Sequence, residues 1–81
     1  MPVQKEEILD LLIANFPDVD PEADIALMDT VGDGDHYHLR IRSSRFIGKA
    51  SIQRHRLVVS ALGELLKSRL HSISIETEIK K

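Results

Sequence analysis

The chain contains no cysteine and no tryptophan, and its only aromatic residues are Phe16, Tyr37 and Phe46. Without cysteine there is no disulfide, no thiolate of its own to hold a metal and no thiol nucleophile, and the redox compartment is left undetermined. Three rings, all at positions that suit a core, cannot form a platform on which single-stranded bases stack. No apolar stretch approaches the roughly 20 residues that span a bilayer as a helix. The opening residues MPVQKEEILDLLIANF lack the basic start and unbroken apolar run of a secretory signal. The expectation is a soluble, cytoplasmic protein with no membrane partner.

What is present fits one small domain, spanning residues 1–81. With 42% hydrophobic and 30% charged residues, the composition is that of a globular chain rather than a disordered one. The net charge of -2 conceals a segregation: residues 1–35 carry -9, residues 38–56 carry +6 with no acid, and the remainder carries +1. The middle stretch can attract phosphates or an acidic protein surface, which the first stretch would repel.

Apolar residues Ile8, Leu9, Leu11, Leu12, Ile13 and Phe16 recur at helical spacing and predict an amphipathic helix over 3–16, stopped by Pro17. Residues 17–24, with two prolines and four acids, predict a loop. The run Ile25-Ala26-Leu27-Met28 has strand length. Beyond the turn-rich Val31-Gly32-Asp33-Gly34-Asp35, Tyr37, Leu39 and Ile41 alternate with His38, Arg40 and Arg42, the mark of a half-buried strand. These two strands predict an antiparallel hairpin. A turn over 43–50, with a helical turn near Phe46, leads to a long helix over 51–68. That helix has Ser51 as N-cap and Ile52, Val58, Val59, Leu62, Leu65 and Leu66 as its apolar stripe. Ile73 and Ile75 then mark a third strand before a charged tail. The order predicts an α+β fold, a three-stranded sheet covered on one face by two helices.

Several chemical motifs fail on spacing. An EF-hand beginning at Asp29 would place Val31 at its third position and Arg40 at its twelfth, where a bidentate Glu is needed. A phosphate loop requires a helix and a Lys after the glycines, and here a strand follows. Four histidines, His36, His38, His55 and His71, lie too far apart for an HExxH zinc site. They read either as ordinary surface and helix-end residues or as two imidazoles that meet and bind a metal completed by a second protein. No nucleophile and base stand at suggestive spacing, so no catalytic residue is assigned and a non-enzymatic role is expected. The triplet Arg54-His55-Arg56 at a helix start, preceded by Gly48-Lys49, suits phosphate contact, and equally suits a solvated face.

Taken together, Val31-Gly32-Asp33-Gly34-Asp35-His36-Tyr37, Ser43-Ser44-Arg45-Phe46-Ile47-Gly48-Lys49, Arg54-His55-Arg56 and Leu70-His71-Ser72-Ile73-Ser74 resemble the BolA family over nearly the whole chain. That resemblance implies a class II KH-like fold, α-β-β-α-α-β. It also implies pairing with a monothiol glutaredoxin to share a [2Fe-2S] cluster, to which the glutaredoxin side gives a cysteine and a glutathione thiol. The family's C-terminal ligand histidine falls on His71 and its loop-borne ligand on His36, the chain alone being apo. Ser72 departs from the more usual Ala, another small residue. The resemblance carries an alternative role in transcriptional regulation, with Arg45, Lys49, Arg54, His55 and Arg56 touching DNA. A weak homodimer remains open.

Overall fold

In the computed structural model the described residues are 3–32, 36–68, 70 and 72–81. The order is α1 (Lys5–Asn15), β1 (Ile25–Asp29), β2 (His36–Ser43), a single 3-10 turn (Ser44–Phe46), α2 (Ser51–Ala61), α3 (Gly63–Ser68) and β3 (Ser72–Ile79). The expected α+β order is the observed one, with the helical turn at Phe46 in place.

β2 is the middle strand. It runs antiparallel to β1, pairing Leu39 with Leu27, and parallel to β3, pairing Leu39 with Ile75. Two-residue periodicity sends Tyr37, Leu39, Ile41 and Ser43 into the interior and leaves His36, His38, Arg40 and Arg42 on the opposite face. Register carries the division across the sheet, so Ile73, Ile75 and Thr77 of β3 share the inner face. Parallel pairing requires a crossover of a dozen or more residues, supplied here by the 3-10 turn, α2 and α3.

The helices cover that inner face. α1 begins with Glu7 Oε2 accepting the Gln4 N–H at 3.0 Å, and Glu6 and Glu7 suit the positive end of the helix dipole. It ends where Pro17 removes the next donor, after the Phe16 N–H has bonded to the Leu12 carbonyl at 2.7 Å. Ile8, Leu12 and Phe16 pack with Leu39, Ile41, Phe46, Val58 and Leu62 in one buried cluster. Phe16 and Phe46 meet at 5.5 Å between centroids with ring planes tilted 59°. The Tyr37 hydroxyl, buried in this cluster, donates to the Val3 carbonyl at 2.6 Å and fixes the N-terminal approach to α1.

Four details of the second half differ from expectation. The helix over 51–68 is broken at Leu62, where ψ is 7°, because Gly63 follows and glycine is a poor helix former. Bonds from Leu62 N–H to the Val58 carbonyl and from Leu66 N–H to the Leu62 carbonyl, each 3.0 Å, carry the chain through the break. The N-cap is Ala50 rather than Ser51, its N–H held by Gln53 Oε1 at 2.8 Å. Ile52 and Val59 are 60% and 36% exposed, because the face turned to the sheet runs through Arg54, Val58 and Leu62. Finally β3 continues to Ile79, so the expected charged tail begins only at Lys80.

That tail is tied down. Lys80 Nζ donates to the Asp24 carboxylate at 2.6 Å and to the Asp18 carbonyl at 2.7 Å, while Arg42 Nη2 reaches Asp24 at 3.1 Å. The Asp20 N–H, Lys80 and Arg42 together hold the Asp24 carboxyl down to about 2, against the desolvation of a site only 5% exposed. Desolvation raises the pKa of Asp18, and the Ser44 N–H and the Ser43 and Ser44 hydroxyls outweigh it, leaving a net lowering. The loop over 17–24 is thereby stapled to the ends of β2 and β3.

Two outcomes follow from this packing. Leu39→Ala, which empties the centre of the sheet, lowers unfolding free energy in urea by about 2–5 kcal/mol. Asp24 is depressed on folding, so its contribution is full above its ordinary 3.8 and lost as pH falls through about 2. The urea midpoint of the native chain therefore exceeds that of Asp24→Asn above about pH 4, and the gap closes in that window.

Candidate functional site

The β1–β2 turn sets the position of His36. The Asp29 carboxylate accepts the Gly32 N–H at 2.8 Å, and Gly32 takes φ 84°, a value that favours glycine. Across the turn, the Thr30 N–H and hydroxyl both donate to the His36 carbonyl, at 2.9 and 3.1 Å. Asp29 thus serves the turn itself, in line with the plain hairpin reading; Asp33, Gly34 and Asp35 lie outside the described residues. His36 is the first residue of β2, half-buried, and is paired in register with Ser72. The second expected ligand, His71, lies outside the described residues; Ser72 is the residue that follows it in sequence.

His38 stands two residues beyond His36, on the open face of the sheet. Its Nε2 is 3.6 Å from Glu76 Oε2, and Arg40 Nε is 3.4 Å from the same oxygen and 3.8 Å from Glu78. Among the described residues no three His, Asp or Glu side chains converge to hold a metal.

The six cations of the middle stretch do not share one face. Arg40 and Arg42 lie on the open face of β2, held by Glu76, Glu78 and Asp24. Arg45 lies over the Phe16 ring, 5.2 Å from its centroid, and donates to the Asn15 carbonyl. Arg54 is half-buried, with Nε on the Thr77 hydroxyl at 3.0 Å and Nη1 on the Lys49 carbonyl at 2.9 Å. It joins α2 to β3 and to the turn at Gly48, where φ is 77°. Lys49 and Arg56 line a shallow cavity of about 370 Å3 with Gly48, Gln53 and Leu57. His55 is exposed and borders a different cleft, of about 400 Å3, with Arg40, Ser51, Glu76 and Glu78.

The structural work of Arg54, Asp24 and Lys80 escaped the sequence reading. For Lys80 a signal exists: the alternation of Ile73 and Ile75 runs on through Thr77 and Ile79, so the next residue emerges at the end of the sheet. For Arg54 the only cue was its four-residue spacing from Val58 on the buried side of α2. A charge-assisted hydrogen bond contributes about 1.5–3 kcal/mol. Arg54→Ala therefore lowers the unfolding free energy measured in urea by an amount in that range, whereas Arg56→Ala leaves it unchanged within about 0.5 kcal/mol.

Comparison with known proteins agrees with this architecture. The family model described as BolA-like protein matches residues 21–81. An uncharacterized protein of Rickettsia prowazekii, RP812, is 43% identical over 77 residues, covering 95% of each chain. Among solved structures, BolA1 from Arabidopsis thaliana is similar with a TM-score of 0.78 at 27% identity, over 91% of this chain and 88% of that one. The BolA domain of SufE1 from Arabidopsis thaliana gives a TM-score of 0.77 at 31% identity over the same shares. The family match takes in all three strands, α2 and α3, and the Rickettsia relative extends over nearly the full length; the chain belongs to the BolA-like protein family.

Proposed function

We propose that this protein is a non-enzymatic, cytoplasmic adaptor that binds a monothiol glutaredoxin and completes a shared [2Fe-2S] cluster through His71 and His36. The observation that carries the reading is the parallel register of β2 and β3, which pairs His36 with Ser72, the immediate sequence neighbour of His71. His36 and the residue that follows His71 in sequence thus stand at adjacent strand starts.

The donor set is consistent with this role. With no cysteine, the chain offers an iron nitrogen or oxygen donors and no thiolate, so on this reading the thiolates come from the glutaredoxin cysteine and glutathione. Imidazole in place of thiolate raises the potential of such a cluster and makes its retention sensitive to protonation. His36 lies at a strand start whose main chain Thr30 has fixed, so its side chain is presented from a defined backbone. Among the described residues no helix is long and apolar enough to cross a membrane.

The alternative role, DNA binding by the basic turn and helix start, draws less support. Arg45 and Arg54 are engaged within the molecule, which leaves Lys49 and Arg56, the two that line one cavity. Two phosphate contacts give a weak interaction, with a salt slope of about -2 in log-log form.

Titration into a cluster-loaded monothiol glutaredoxin with glutathione tests the adaptor reading. The native chain changes the visible circular dichroism of the cluster, and His71→Ala abolishes the change. A spectral change that survives His71→Ala overturns the ligand assignment.

A further inference from the structure

We propose that His36 and His38 form a two-imidazole chelate for a late first-row transition ion on the open face of the sheet. The chelate rests on the adaptor reading only through His36, which both use; His38 belongs to the chelate alone.

Residues i and i+2 of a strand project from the same face, about 6.6 Å apart along it. His36 and His38 occupy such positions on β2, opposite to the buried Tyr37 between them. Two imidazoles of ordinary reach converge on one ion from that spacing, with metal–nitrogen bonds of about 2.0–2.1 Å. The strand itself is held on both sides, by β1 through Met28 at His38 and Asp29 at Tyr37, and by β3 through Ser72 and Ser74. The spacing is therefore fixed before an ion arrives, unlike that of two histidines on a loop.

The surroundings admit a cation. Among the described residues the open face of β2 carries half-buried and then exposed positions, and the His38 side chain is 39% exposed. Ser72 and Ser74, flanking the two histidines on β3, are small and cannot shield them. Glu76 brings negative charge to 3.6 Å from the His38 ring, offset in part by Arg40 on the same carboxylate oxygen. With only two protein ligands the remaining positions fall to water or to a partner, in keeping with the absence of a three-residue cluster among the described residues. Imidazole nitrogen suits copper, nickel and zinc, and copper(II) leads the series in affinity. An ion seated there would occupy His36 and so compete with cluster completion.

Calorimetric titration of the isolated chain with Cu2+, with no glutaredoxin or cluster present, tests the chelate. One ion binds per chain, and His36→Ala and His38→Ala each weaken binding by about tenfold or more, since one arm alone forfeits the high effective concentration of the other. His55→Ala, at an exposed histidine outside the pair, leaves binding unchanged. Circular dichroism confirms that each variant folds, with His38→Gln as the second variant at that position. Binding that survives both His38 variants, or that falls equally with His55→Ala, overturns the proposal. The adaptor reading is judged apart from this, by the response of His38→Ala to cluster-loaded glutaredoxin.

Discussion

β2 is bonded along both edges, and its parallel pairing with β3 fixes more of this molecule than any other contact. Residue by residue, from His36 with Ser72 to Ser43 with Ile79, that register decides which side chains share a face and which ends of the sheet coincide. A slip of one residue would send the inner row of β3 to the open face and separate His36 from Ser72. Burial of Leu39 and Ile41 between the sheet and the helices opposes such a slip, as does the Arg54 contact to Thr77 from α2. The hydrophobic core and the candidate site are thus two consequences of one alignment.

The far end of the sheet is organised by charge instead of apolar packing. Asp18 and Asp24 lie in an acidic loop that would repel itself if left in solution. They are drawn onto Ser43, Ser44, Arg42 and Lys80, which gather where β2 and β3 finish. In a domain of this size the buried apolar area leaves a small margin of stability, so these contacts matter in proportion. The arrangement also separates tasks. Cations that a charge count assigns to an external surface are partly consumed in closing the fold, and those left over stand apart from one another.

Periodicity made α1, the hairpin and the inward row Tyr37, Leu39 and Ile41 legible, since apolar spacing of 3.6 or 2 is written directly in the residues. The direction of β3 was not written in this way, because alternation is the same for parallel and antiparallel strands. The break at Leu62 turned on a single glycine within an otherwise helical pattern, a cost that apolar spacing alone overlooks. Arg54 read as part of a basic triplet because charge was the visible property, while its partners Thr77 and Lys49 came from elements whose arrangement only folding reveals. Of the candidate site, His36 opens β2 just beyond the turn, and the assignment of His71 rests on the family motif around Leu70 and Ser72.

The adaptor account comes down to where an external cluster approaches this surface. Nitrogen-15 NMR of the labelled chain, mixed with a glutaredoxin carrying its paramagnetic [2Fe-2S] cluster, reports that approach residue by residue through line broadening. The account predicts that amide signals of His36 and Ser72 are lost first, with those of Gly48, Lys49 and Arg56 retained. Loss at the basic turn with His36 and Ser72 intact would contradict it.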